Sequence, residues 1–194
     1  MKENSEIALT GDPRRTDFVR SVLAESDVDT NLCYQCRKCA AGCPVAYAMD
    51  LTPTQVIHAT RLGQRELVLR SKTIWLCVSC ETCTTRCPQG VDIAKVMDAA
   101  RITALREGIE PAVPEIAKFY KKAMRSIRRH GRMFELGLLI GLKLGGANHP
   151  LTKDMGLGMK MMQKGKLKFL PTFGKARPVK RMIKRAKALA AGKE

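Results

Sequence analysis

The chain is 194 residues long, enough for one domain with a sizeable core or for a small domain with an extension. One Trp, three Tyr and five Phe exclude a large aromatic-rich core, and abundant Ala, Leu, Lys, Arg, Met and Glu with short β-branched runs favour helices. The net charge of +17 lies on one side: residues 1–110 carry 14 Lys+Arg against 14 Asp+Glu, residues 111–194 carry 21 against 4, so a neutral unit precedes a basic extension.

Met1 to Asp12 is polar and acidic, without the apolar centre of a secretory signal. Asp12-Pro13 supplies an N-cap and a first-turn proline, and Phe18, Val19, Val22 and Leu23 then share one helical face. After a first cysteine run, Cys33 to Cys43, Thr52-Pro53 opens a second helix that Gly63 interrupts, with a further helical piece from Gln64 to about Leu69. Trp75 precedes the second run, Cys77 to Cys87. Asp92 caps a third helix with Ile93, Val96, Met97 and Ala100 on one stripe and Gly108 as its stop. A fourth starts near Pro114, carries Ile116, Phe119, Tyr120, Ala123 and Ile127, and ends at Gly131.

Beyond Gly131 the signals weaken. Gly137, Gly141 and Gly145 recur every fourth residue, as in closely approaching helices or in a loose, interrupted one. The stretch from His149 to Pro178 mixes Gly, Met, Lys and Pro and reads as an irregular arm, in which Met155, Met159, Met161 and Met162 are an adaptable contact surface or ordinary filler. A last amphipathic helix, Val179 to Ala190, places Val179, Met182, Ile183, Ala186, Leu189 and Ala190 opposite Lys180, Arg181, Lys184, Arg185 and Lys187. The expected fold is mainly α, with a basic, partly irregular C-terminal helical extension. The longest apolar piece, Leu136 to Leu142, is too short to span a bilayer, so the chain is expected to be soluble and cytoplasmic. Cysteines in that compartment serve metals more than disulfides.

One internal repeat is strong. Cys33-x2-Cys36-x2-Cys39-x3-Cys43-Pro44 recurs 44 residues later as Cys77-x2-Cys80-x2-Cys83-x3-Cys87-Pro88, and the two copies use all eight cysteines. A cubane cluster needs four thiolates around it. Cysteines spaced by two residues on a tight, partly helical segment turn three sulfurs into one pocket, and the fourth, followed by Pro, points away. In two-cluster ferredoxins that fourth cysteine ligates the other cluster. The expected ligands are therefore Cys33, Cys36, Cys39 and Cys87 for one [4Fe–4S] cluster, and Cys77, Cys80, Cys83 and Cys43 for the other. Such crossing holds the two clusters close and staples the halves of the domain together. Zinc sites show paired Cys-x2-Cys without the third and fourth cysteines at these offsets. A Rieske centre needs two histidines, and His58, His130 and His149 lie outside both runs. A thioredoxin-like reading fails on the doubled pattern.

With its doubled motif, the spacer from Cys43 to Cys77, the Trp75-Leu76-Cys77 lead-in and the Cys-Pro-Gln-Gly-Val-Asp-Ile segment from Cys87 to Ile93, the chain resembles the α-helical ferredoxins. Compact bacterial ferredoxins join their motifs by shorter segments with small strands. Within the helical family the chain is most similar to the C subunit of heterodisulfide reductase, over residues 14–110. The resemblance implies a ferredoxin domain over residues 1–110, a docking extension over 111–194, and a non-catalytic electron relay. Its expected partners are the flavin-bearing member of the complex and the member whose Cys-Cys-Gly motifs build the disulfide-reducing centre. The chain itself has neither a Gly-x-Gly-x-x-Gly fingerprint nor a Cys-Cys-Gly motif. The alternative is an iron–sulfur subunit of a quinone-linked, membrane-associated dehydrogenase, similar to the C subunit of glycerol-3-phosphate dehydrogenase. The basic tail suits docking onto partner subunits or peripheral membrane contact. It lacks the interleaved aromatics of a nucleic-acid binder.

Overall fold

The computed structural model describes residues 13–144, 155–165 and 176–191. Every regular element among them is helical: α1 Pro13–Ser26, α2 Lys38–Ala41, α3 Pro53–Arg61, α4 Arg65–Leu69, α5 Thr73–Leu76, α6 Thr82–Thr85, α7 Ile93–Arg106, α8 Pro114–His130, α9 Glu135–Leu144, α10 Met155–Gln163 and α11 Ala176–Ala191. Short 3₁₀ turns at Thr30–Leu32 and Ala46–Ala48 complete the set. The fold is mainly α, and the chain divides into two compact units, Met1–Pro114 and Glu115–Glu194.

In the first unit α7 is the central helix. α1 lies along it, α3, α4 and α5 pack on it, α6 sits against it, and α2 bridges α3 and α6. Asp92 starts α7 by accepting the Lys95 N–H at 3.1 Å, and Thr52 starts α3 through a capping box with Gln55. Gly63 and Gly108 stop the chain in left-handed conformations at φ 65° and 70°. Val22, Val56, Ile57, Leu69, Ile74, Trp75, Val96 and Met97 are essentially sealed from water. Each such aliphatic side chain contributes roughly 1.5–3 kcal/mol by leaving solvent.

The helices following the two cysteine runs are themselves a repeat. Along α3, Pro53, Thr54, Val56, Ile57, Ala59 and Thr60 are buried while Gln55 and His58 are exposed. Along α7, Ile93, Ala94, Val96, Met97, Ala99 and Ala100 are buried while Lys95 and Asp98 are exposed. Each pattern closes at its ninth residue on a half-buried arginine, Arg61 or Arg101. The offset is 40 residues rather than 44, because the connection leading into α7 is four residues shorter.

On the described part of α1 Phe18, Val22 and Ser26 are buried. Val19 is half-buried and Leu23 is 45% exposed, so the buried stripe is narrower than periodicity suggests. The Asp12 cap, Gly145 and His149 lie outside the described residues.

The second unit is built differently. α8 follows the expected bounds and stops at Gly131, φ 80°, but Ala123 is its single buried residue, and Phe119 and Tyr120 are exposed. α9 runs unbroken through Gly137 and Gly141. A Cβ at Gly137 would fall 2.5 Å from the Phe134 ring, so that glycine makes room for the aromatic residue just ahead of its helix. The Lys122 ammonium donates to the Gly141 carbonyl. The irregular arm read between His149 and Pro178 needs correction: α10 is helical over Met155–Gln163, and α11 begins at Ala176, earlier than Val179. Met, Leu, Lys and Gln are strong helix formers, and together they outweigh Gly156 and Gly158 at about 1 kcal/mol each. On α11, Met182 is 69% and Leu189 66% exposed.

Candidate iron–sulfur site

The 44-residue repeat holds at the level of backbone angles. α2 and α6 occupy the same place in their motifs, and each is preceded by an N-cap in the left-handed region: Arg37 at φ 64°, ψ 5° and Glu81 at φ 62°, ψ 1°. Two residues earlier Gln35 and Ser79 are also left-handed, at φ 62° and 50°. Cys33 and Cys77 are both extended, at φ −72°, ψ 118° and φ −60°, ψ 121°. None of the four left-handed residues is glycine, and each costs about 1–2 kcal/mol. That cost is matched in both copies, so the strain belongs to the shape of the cysteine loop. It folds Cys-x2-Cys-x2-Cys into a tight cup.

All eight cysteines are free thiols. Cys43, from the first motif, lines one cleft together with Cys77, Cys80 and Cys83 from the second. Pro44, Val45, Met49, Ile93, Ala94 and Met97 form its apolar wall. Tyr34 lies near cysteines of both motifs: its exposed phenol is pushed up by desolvation and then by the charges of Cys36 and Cys87. Among the described residues no three Cys, His, Asp or Glu side chains converge closely enough to hold a single metal ion. The four cysteines that line the one cleft are a donor set whose chemistry fits a [4Fe–4S] cubane.

The sulfurs differ in setting. Burial pushes the Cys83 thiol up to about 11, against hydrogen bonds from Thr84. Burial also raises Cys77, while the Ser79 N–H and the Arg101 charge pull it back and the Asp98 and Cys43 charges add to the rise. Cys39 is raised by burial and eased by the Thr54 hydroxyl at 3.1 Å. Cys80 is lowered by its hydrogen bond with Thr82. The Gln35 amide donates to Cys33 Sγ and the Val91 N–H to Cys87 Sγ, both at 3.3 Å. Thiols held up in this way release protons when iron takes them, so loading is favoured by rising pH.

The two motifs touch at equivalent positions. α2 packs on α6. A Cβ on Gly42 would lie 2.6 Å from Arg86 Cδ, and Arg86 is the residue 44 positions after Gly42. The arginine side chain fills the space the glycine leaves.

Three further groups hold the cysteine loops, and sequence reasoning missed them all. Arg61 donates to the Cys33 carbonyl at 2.8 Å, and Arg101 to the Cys77 carbonyl at 3.2 Å. Asp50 ties the first half to the segment that leads into Cys77. Its carboxylate accepts from Ser71 Oγ at 2.7 Å, Lys72 N at 2.8 Å, and Thr73 N and Oγ1 at 3.0 and 2.8 Å. Burial opposes its charge, but these donors prevail and hold the carboxyl at about 2. The three pairs span 22–28 residues of sequence, so no local pattern announced them.

Among the described residues, His58 is exposed on α3, and His130 packs edge-on against Phe134, ring centres 5.9 Å apart. No helix among the described residues is long and apolar enough to cross a membrane.

Residues 29–91 match the 4Fe-4S dicluster domain family. The chain is similar to the iron–sulfur C subunit of the CoB–CoM heterodisulfide reductase of Methanopyrus kandleri, 30% identical over 129 residues that span 66% of this chain and 67% of the relative. It is 26% identical over 149 residues to the C subunit of the H2:CoB–CoM heterodisulfide, ferredoxin reductase of Methanothermobacter marburgensis, covering 76% and 79% of the two chains. The C subunit of the ferredoxin:CoB–CoM heterodisulfide reductase of Methanosarcina acetivorans is 32% identical over 100 residues, 52% of this chain and 39% of the other. Eight cysteines in two matching motifs, a dicluster domain and these relatives agree on two [4Fe–4S] clusters and on electron transfer. The chain belongs to the family of heterodisulfide reductase C subunits.

Proposed function

We propose that this chain is the electron relay of a heterodisulfide-reductase-type complex, passing electrons between a flavoprotein partner and a partner with Cys-Cys-Gly motifs that reduces a disulfide or related sulfur substrate. The ligand sets are crossed: Cys33, Cys36, Cys39 and Cys87 hold one cluster, and Cys77, Cys80, Cys83 and Cys43 the other. Residues 1–110 form the dicluster unit and residues 111–194 the docking arm that fixes it against its partners. The observation that carries this reading is the cleft that Cys43 shares with the second motif's first three cysteines. Each cluster, when bound, accepts and returns one electron. The protein's own groups shape the rest. The strained loops aim the sulfurs, Thr54, Gln35 and the Val91 N–H donate to them, and the apolar wall around Cys43 keeps water from one face.

The quinone-linked alternative is not favoured, since the relatives above are heterodisulfide reductase subunits. For the docking arm, support comes from the second unit's surface. Lys121, Arg125, Arg128, Arg129, Lys180 and Lys187 line one groove between α8 and α11, over Met124 and Ile183. A groove that gathers cations at such density is relieved by an acidic partner surface.

Anaerobic reconstitution tests the ligand sets. The wild-type chain should hold about eight irons, and Cys43→Ala about four. Alkylation followed by mass spectrometry should then find Cys77, Cys80 and Cys83 newly reactive. Labelling of Cys33, Cys36 and Cys39 instead would refute the crossed assignment. Co-purification of the tagged chain with a flavoprotein and a Cys-Cys-Gly protein tests the relay, and a chain that stays monomeric beside them counts against it.

A further inference from the structure

The duplication extends past the cysteines to a pair of arginines. Arg61 is the ninth residue of α3 and Arg101 the ninth of α7. Each reaches back to the backbone carbonyl of the first cysteine of the motif preceding its helix, Arg61 to Cys33 at 2.8 Å and Arg101 to Cys77 at 3.2 Å. Both side chains are partly buried, and Arg101 is 12% exposed. A guanidinium is always charged, and one so placed is poorly screened by solvent. The core helices therefore deliver one fixed cation to the first ligand of each motif, in two copies that share geometry but little surrounding sequence.

We propose that Arg61 and Arg101 are positioning residues, each pinning the first cysteine of its own motif and raising the reduction potential of the cluster that cysteine ligates. The inference rests on the assignment of Cys33 and Cys77 to different clusters. A reduced cubane carries one more negative charge than an oxidised one, so a nearby cation favours reduction. The hydrogen bond to the carbonyl holds the strained loop in register, since Gln35 and Ser79 follow these cysteines in left-handed conformations.

The two copies are not electrically equal. Three residues before Arg101 is Asp98, which pairs with it at 3.2 Å and offsets part of its charge. The equivalent position before Arg61 is His58. The field of Arg61 on its cluster is thus the stronger of the two, and the α3–α7 duplication has diverged where it tunes the pair apart.

Redox titration of the reconstituted full-length chain, followed by electron paramagnetic resonance, resolves the two reduction waves. Arg61→Met should move one wave to more negative potential by about tenfold in the reduction equilibrium, about 59 mV for one electron, and leave the other in place. Arg101→Met should move the other wave in the same direction by less. Asp98→Asn, at a residue whose side chain is 51% exposed and outside the core, should move that second wave the opposite way. Arg61→Lys keeps the charge without the planar fork and should recover most of the shift. A methionine variant that holds about four irons with its remaining wave unmoved also supports the assignment. Eight-iron variants with both waves unchanged, both waves moving together, or an Asp98→Asn chain identical to wild type would overturn it. Failure to bind iron at all in the wild-type chain would instead remove the cluster reading itself.

Discussion

The two units of this chain use similar helices to opposite ends. In the first, α3 and α7 expose only their third and sixth residues over their first eight, and their arginines, with the Asp50 carboxylate, turn inward to hold the cysteine loops. In the second, α8 has a single buried residue, Leu139 and Ile140 of α9 are about half exposed, and Met182 and Leu189 of α11 face solvent. Helical propensity alone does not separate them. The first unit has internal ligands to organise around. The second presents cations and apolar side chains outward, the arrangement on which its proposed docking role rests.

The comparison breaks most sharply at the metal. Stripping iron from the reconstituted protein should unfold the first unit, because the clusters join α2 to α6 and both loops are strained without them. Hydrogen exchange should rise to near-unprotected rates across residues 53–106 while α8 and α11 change little; retention of slow exchange in α3 and α7 would mean that the helices alone carry this unit. Next in size is the seam between the motifs. Gly42→Val drives two methyl groups into Arg86 and should cost about 1–3 kcal/mol of cluster-loaded stability, read as a lower denaturant midpoint. The same change at Gly141, around which the structure is open, should cost about 1 kcal/mol or less.

Asp50→Asn comes third. It keeps the shape but removes the charge that four donors address, so the expected loss is about 1–2 kcal/mol near neutral pH. The native carboxyl titrates lower than in the unfolded chain, so its contribution is complete above the unfolded value of 3.8 and fades as pH falls towards about 2. The gap in thermal midpoint between the two proteins should close over that interval, and a gap independent of pH would mean that the charge plays no part. The smallest effect on stability belongs to the open unit. Leu189→Glu should leave the isolated chain within about 0.5 kcal/mol of wild type, yet weaken pull-down of the partner subunits; unchanged pull-down would take α11 out of the docking surface.

Much of this organisation is legible in the sequence because its cues are local. The cysteine spacing names the cofactor, Thr52-Pro53 and Asp92 place the starts of α3 and α7, and Gly63, Gly108 and Gly131 place three ends. The second repeat escaped because its offset differs by four residues from that of the cysteines and because, of its nine pairs, only Val56 with Val96, Ala59 with Ala99 and Arg61 with Arg101 are identical. Asp50 looks like any polar loop residue until Ser71, Lys72 and Thr73 are brought to it. Around α10, Gly156 and Gly158 are local breaker signals, but the run of helix formers from Met159 to Gln163 that follows them outweighs both.

The meeting of Gly42 with Arg86 has a consequence for how such a domain can be assembled. These two positions are equivalents in the repeat, and they touch, so at this point of the seam each half meets its own counterpart. Two arginines there would collide and repel, and two glycines would leave a void. One of each fits, and a dimer of identical halves can never provide one of each. The snug closure of the two cysteine loops is available only to a molecule that carries both halves in a single covalent strand and is free to spell them differently.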